Sequence, residues 1–225
     1  MSVIHRTTMK PTKLELLAPW LPGRPWYLGA GGEPRLARAG GFRLDDPQGE
    51  VGIEFMVAVD ESGDRPVAYQ VPLTYRGAPL DGAEHALVGT SEHGVLGRRW
   101  IYDGVHDPVL LARLFALLDG EAEPQQQSIS NTPDPTVTAR FTGAGPLSPA
   151  EVTDVTDGPH GTDVHARGAA TGPGRLTLRV NRVLEPLRDE PSAPAGQAPG
   201  DVTAGWLMPD GTAARALFAV VHAAG

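Results

Sequence analysis

The sequence predicts an α+β fold: antiparallel strands in a sheet that holds one long helix, with a short helix ahead of it. Three observations lead there. Large apolar side chains recur with a period of two at Ile53, Phe55, Val57 and Val59 and again at Val67, Tyr69, Val71, Leu73 and Tyr75, on either side of the turn Glu61-Ser62-Gly63-Asp64, the pattern of an antiparallel hairpin. Asp107-Pro108 opens the apolar run 109–118, which Gly120 ends, and this is the pattern of a capped helix. Beyond residue 135 the pattern stays β.

The short helix begins at about Lys13. Thr12 and Glu15 have the spacing of a capping box, in which each side chain satisfies the other residue's backbone N–H. Leu14, Leu16, Leu17 and Trp20 give it an apolar side, and Pro22-Gly23 stops it. Trp20, Trp26 and Tyr27 then surround a rigid turn and read as a packing anchor. A strand follows at 36–44. Ile53, Phe55, Val57 and Val59 predict a half-buried strand, and Val67 to Tyr75 its hairpin partner. Pro72 has no N–H for a ladder, which places it at an edge or a bulge. Further strands are expected at 85–90 and 95–102.

Leu110, Leu111, Leu114, Leu117 and Leu118 cover more than one stripe of the long helix, so it should lie across the inner face of the sheet. Residues 119–135 are polar, with Gln125-Gln126-Gln127 and Pro133-Asp134-Pro135, and read as a linker. Strand-like runs then occupy 136–142, 163–169, 176–184, 201–208 and 213–222. The last is alanine-rich enough for a helix, but the turn Pro209-Asp210-Gly211-Thr212 favours a hairpin partner. Residues 191–200 are a Pro/Ala/Gly loop, expected to be mobile.

Composition narrows the function. The chain of 225 residues has 19 basic and 27 acidic side chains, a net charge of −8. A chain this acidic repels phosphate backbones and anionic lipid, which argues against nucleic-acid and membrane-surface partners. No cysteine occurs, so disulfides, thiolate metal sites and a cysteine nucleophile are excluded. Residues 1–10 lack the apolar core of a secretory signal, and no run reaches the length of a membrane span. The expected location is the cytoplasm. Lysine occurs only at Lys10 and Lys13, and the Arg/Ala/Gly/Pro excess fits a high-GC bacterial source.

Three stretches carry a family resemblance. They are Tyr69-Gln70-Val71-Pro72-Leu73-Thr74-Tyr75-Arg76-Gly77-Ala78-Pro79-Leu80, Ile101-Tyr102-Asp103-Gly104-Val105-His106-Asp107-Pro108, and the Trp20-Leu21-Pro22 to Trp26-Tyr27 segment. In order and spacing they resemble the N-terminal cap domain of bacterial maltokinases and related aminosugar kinases, over roughly residues 14–120. The resemblance implies a curved antiparallel sheet packed on helices, cystatin-like in form, which in those kinases is joined to a phosphotransferase body. Residues 176–186 are similar to the kinase strand that carries the nucleotide-anchoring lysine, with Arg179 at that position. No helical kinase lobe follows before Gly225. The expectation is therefore a cap-like domain at 1–120, a linker at 121–135, and a β-rich remnant of the next kinase subdomain at 136–225.

Candidate chemistry is sparse. Gly158-Pro159-His160-Gly161-Thr162-Asp163-Val164-His165 is similar to an H-G-D-x-H catalytic loop, but Thr162 intrudes before Asp163 and no metal-binding acidic motif follows. A turn entering a strand is the simpler reading. Arg179 would not replace a lysine freely, because its planar fork meets phosphate differently. His106-Asp107 could be a metal pair or an acid/base pair, but Asp107 is already wanted as a helix cap. His85, His93 and His106 lack the spacing of a helical zinc site. Arg98-Arg99 before Trp100 is a small basic spot able to meet an anionic partner. No nucleotide-binding glycine loop and no nucleophile elbow occurs.

No catalytic residue, cofactor or metal is assigned. Tyr75, Arg76, Arg98, Arg99, Tyr102 and His106 are the interaction candidates. The expected function is a non-catalytic interaction or regulatory module near maltose, trehalose or α-glucan metabolism. One alternative is a sugar or sugar-phosphate binder that uses the concave sheet face, and another is a degenerate phosphotransferase. The expected partner is a protein or a small sugar, with self-association through an open sheet edge a further option.

Overall fold

Thr12 starts the first helix as its spacing predicts. Its side chain accepts from Glu15 N, and Glu15 accepts from Thr12 N at 2.7 Å. The computed structural model describes residues 8–29, 31–129, 131–148, 150–168, 174–187 and 198–223. Most of the expected 191–200 loop lies outside the described residues.

The chain order is β1 (Met9–Lys10), α1 (Lys13–Trp20), β2 (Leu36–Leu44), β3 (Gly52–Asp60), β4 (Val67–Arg76), β5 (Leu87–His93) and β6 (Gly97–Asp103). Then come α2 (Pro108–Leu118), β7 (Gln125–Gln126), β8 (Thr138–Phe141), β9 (Glu151–Gly158) and β10 (Gly161–Arg167). The last three are β11 (Arg175–Val180), β12 (Gly200–Leu207) and β13 (Ala213–Ala223). All pairings are antiparallel, in the order β1-β5-β6-β4-β3-β2-β12-β13-β11-β10-β9, with β7 on β2 and β8 on β12. The sheet-rich α+β class is as the sequence predicts.

The sheet curls until it meets itself. Past β11 the chain runs along β4: Gln70 N donates to Arg182 O at 2.9 Å, Leu184 N to Ala68 O at 2.8 Å, and Tyr69 bridges to Val183. This closes a ring of β4, β3, β2, β12, β13 and β11 that joins the two halves of the chain. A single core fills the ring. Phe42 stacks on Phe55 with ring centroids 4.5 Å apart, and Phe218, Leu178, Val202 and Trp206 pack in the same cluster. The α2 leucines 110, 111, 114, 117 and 118 are all buried there. Asp107 caps that helix at Val109 N, and Gly120 ends it at φ +77°, a conformation a side chain would strain.

Several elements depart from the sequence reading. β3 is buried on both faces, not one. Phe55 and Val57 face the ring core, while Met56 and Ala58 join a second core with Leu17, Leu21, Trp26, Tyr69 and Leu73. Pro72 lies in a central strand, opposite Phe55. It is tolerated because the outer side of β4 changes partner there: residues 68–70 meet the chain after β11, and β6 begins at Leu73. The expected linker contains β7, which pairs Gln126 with Phe42. The expected strand at 85–90 starts later, because residues Glu84–Ala86 form a 3-10 turn. β9 was not anticipated: its alternation is almost wholly polar, as suits an edge strand open to solvent.

Candidate functional site

A cleft of 850 Å³ opens on the α1 side of the sheet, walled by α1, β2, β3, β4 and the β5–β6 hairpin. At its base is Glu54, 3% exposed on a strand otherwise buried and apolar except at its last residue, Asp60. Lys13 Nζ and the Tyr75 hydroxyl each donate to Glu54 Oε2 at 2.5 Å. Gln127 Nε2 donates to Oε1 at 2.5 Å. Both carboxylate oxygens are therefore held from three separate parts of the chain. Burial pushes the Glu54 carboxyl up, but the Lys13 charge, the bonds from Lys13 and Tyr75, and the Arg38 charge outweigh it. The net position is below the ordinary carboxylate value. Burial and the adjacent Glu54 charge raise the Tyr75 phenol well above its usual value, so it is a donor at neutral pH.

Three arginines share the wall, and among the described residues none of them forms an ion pair with a carboxylate. Arg38 donates to the Gln127 amide oxygen through Nε at 3.1 Å and Nη2 at 2.6 Å. Arg43 donates to the carbonyl of Gln126 at 3.1 Å and, at 3.5 Å, to that of Ile129. Arg99 donates to the Leu96 carbonyl at 2.6 Å, while its shielded Nε–H has no acceptor among the described residues. Burial lowers the pKa of Arg43 against the opposing pull of Asp45 and Glu54. With Lys13, four cationic side chains face Glu50 and Glu54 across this cleft.

Of the residues singled out in the sequence, Tyr75 and Arg99 line the cleft. The other four lie elsewhere. Arg76 makes a bidentate pair with Asp107 at 2.7 Å through Nε and Nη2, which locks the cap of α2 to β4. Tyr102 is buried, and its oxygen accepts from Leu80 N at 2.9 Å. Arg98 pairs across the hairpin with Glu92, both largely exposed. His106 Nδ1 sits 3.2 Å from His85 Nε2, with the rings edge to face. Burial lowers its pKa, with the His85 and Arg182 charges acting the same way. Among the described residues no group of three or more His, Asp or Glu is arranged to hold a metal, and no helix is long and apolar enough to cross a membrane.

The kinase-like segment has a structural geometry. Residues 158–161 are the turn of the β9–β10 hairpin. Asp163 and Arg179 face each other across β10 and β11 in a bidentate pair at 2.7 and 2.6 Å. The Arg179 hydrogen bonds hold the Asp163 carboxyl below its ordinary value. Nearby, fully buried Arg182 donates through Nη2 to both Asp103 oxygens at 2.8 and 2.7 Å and through Nε to Thr162 at 2.8 Å. Its guanidinium also lies over the Trp26 ring, 5.0 Å from the centroid. The tryptophan anchor near the start of the chain is thereby tied to the C-terminal half.

Trp26, the Tyr69–Leu80 stretch and the Asp103–Asp107 turn thus form one body around β3 and β4. Residues 20–107 match the maltokinase N-terminal cap domain family. The match begins at the last residue of α1 and ends at the cap of α2, so it is shorter than the 14–120 resemblance. Arg38, Arg43, Glu54, Tyr75 and Arg99 lie inside the matched residues; Lys13 and Gln127, which complete the Glu54 cluster, lie on either side of them.

Sequence reasoning missed Lys13, Arg38, Arg43, Glu54 and Gln127. One signal was available: a glutamate inside the otherwise apolar run Ile53 to Val59. On a half-buried strand it points harmlessly to water. It becomes telling only once the second face is known to be covered.

Proposed function

We propose that this chain is a non-catalytic cap-domain protein of the cytoplasm that acts by binding a protein partner, in or near maltose, trehalose or α-glucan metabolism. The cap itself is read as cystatin-like, a curved sheet holding α2. The observation that carries the interaction reading is β9: it ends the sheet, pairs among the described residues only with β10, and is exposed along much of its length. Such an edge accepts an added strand from another chain. Asp163 and Arg179, the residues nearest to kinase chemistry, neutralise each other across two strands, which supports a structural role. Affinity capture from a native lysate tests the proposal. A defined partner should bind the wild-type chain and be lost when Asp154→Lys and Thr156→Lys blunt the edge. Magnesium-dependent phosphorylation of maltose or glucosamine, abolished by Asp163→Ala, would overturn the non-catalytic reading.

The cleft above Glu54 favours a second reading, a small-molecule binder. Its size suits a mono- or disaccharide, and its wall offers both donors and acceptors. Thermal unfolding with maltose or a sugar phosphate tests it: the expected rise in Tm should vanish when Ser128→Trp fills part of the wall.

A further inference from the structure

We propose that the open edge of β9 takes an extended strand from a different protein, one that alternates basic with apolar side chains, and that it refuses a second copy of this chain. This rests on the reading of β9 as the interaction edge and specifies the partner that the edge selects.

The apolar layer of the ring stops unfinished at β9. Across the ladders Leu176 lies beside Ala166 and Ala166 beside Val152; Leu178 lies beside Val164 and Val164 beside Val155. The four inner residues are buried in the ring core, while Val152 and Val155 are half-buried and pack against its rim. Among the described residues the backbone edge beyond them meets no strand. A strand added there would continue both rows with its own apolar side chains and cover the two valines.

Charge decides which strand fits. β9 carries Glu151, Asp154 and Asp157 and no basic residue. Glu151 lies 3.6 Å from Arg167, both largely exposed. Asp154, opposite His165, accepts from the Thr156 hydroxyl at 3.1 Å, and Asp157 accepts from the Thr162 hydroxyl at 2.5 Å. Among the described residues neither aspartate forms an ion pair. The arginines of this sheet end stand further in, Arg167 on β10 and Arg175 and Arg179 on β11, where Arg179 is paired with Asp163. An added strand therefore meets the acidic row first. Its outward side chains would lie next to Glu151 and Asp154, where a lysine or arginine is favoured and an acid is repelled. A second copy of β9 would set three carboxylates from each chain along one seam eight residues long, which cross-strand pairing penalises.

Fluorescence anisotropy on the full chain tests this with two labelled peptides of eight residues, the length of β9. One alternates lysine with valine, the other glutamate with valine. The lysine peptide should bind about tenfold more tightly than the glutamate peptide, a comparison that needs no variant to fold. Its binding should slow amide hydrogen exchange along Glu151–Gly158. Asp154→Lys should weaken the lysine peptide by about tenfold, while Asp64→Lys, the same change of charge in the exposed β3–β4 turn, should leave it unchanged. In sedimentation the chain without peptide should be a monomer. Equal binding of the two peptides, or an equal loss in Asp64→Lys, would overturn the selection by charge while leaving β9 a strand acceptor. A dimer that protects the β9 amides would make a second copy the occupant and overturn the inference. No binding by the lysine peptide at millimolar concentration, or protection away from β9, would overturn the edge itself and the interaction reading with it.

Discussion

Two of the buried ionic clusters of this molecule are built to opposite ends. Around Arg182 the pair is sealed: the Arg182 and Asp103 side chains are 0% and 2% exposed, with Thr162 and Trp26 closing the remaining sides. Around Glu54 the carboxylate is equally buried, but its partner Lys13 is 27% exposed and the cluster forms the base of an open cleft. The first cluster connects segments far apart in the chain and leaves nothing for a ligand to reach. The second gathers Lys13, Tyr75 and Gln127 at a surface lined by Arg38, Arg43 and Arg99. Burial of charge alone therefore does not mark a site; what separates the two is whether the buried pair can be reached from a cleft.

The largest expected effect comes from breaking the sealed cluster. Replacing Arg182 with methionine leaves Asp103 buried without its cation and removes the donor to Thr162. The cost should be about 3–5 kcal/mol in denaturant unfolding, because an uncompensated buried charge is worse than none. Changing Asp103 to asparagine as well should recover part of that loss. If Arg182→Met costs less than about 1 kcal/mol, the two halves of the chain do not depend on this contact.

The open cluster should be less sensitive. Glu54→Gln keeps the shape of the side chain and an acceptor for Tyr75, and it strands Lys13, which already reaches solvent. A loss of about 1.5–3 kcal/mol is expected, the range for hydrogen bonds to a charged group. A cost equal to that of Arg182→Met would erase the distinction between the two clusters.

Local signals made much of this fold legible. The capping box at Thr12, the Asp107-Pro108 start of α2, the β3–β4 hairpin and the β12–β13 turn are all written in residues close in sequence, where turn chemistry and periodicity act directly. What escaped depends on distant partners. The place of Pro72 follows from Val183 and Asp103, which meet the same edge of β4 on either side of it, opposite Tyr69 and Leu73. The second covered face of β3 follows from α1 and α2 packing on opposite sides. The cleft assembles Lys13, Arg38, Glu54, Arg99 and Gln127 from five segments, and no spacing rule links them. Tyr75 was found because it lies in a stretch with a family resemblance, and Arg99 as part of the basic spot before Trp100; the first signal cannot tell a cleft residue from Arg76, which locks a structural cap, nor the second from Arg98, which pairs with Glu92.

The smallest effect, and the finest test of the comparison, is the acid dependence of the open cluster. The Glu54 carboxyl is held below its ordinary value, so in the folded chain it keeps its charge to lower pH than it does unfolded. A group of this kind contributes fully above its unfolded pKa, and the contribution is lost as pH falls through the lower, folded value. Wild type should therefore exceed Glu54→Gln in stability by a constant margin from neutral pH down to about pH 5, and the margin should shrink toward about pH 3. Asp163 has a lowered value too, through Arg179, and makes both proteins acid-sensitive, so only the difference between them isolates Glu54. Urea unfolding of both chains across that range measures it. A margin that stays constant into acid would mean that Glu54 stabilises by packing and neutral hydrogen bonds, and that the charge of Lys13 contributes nothing to holding the base of the cleft.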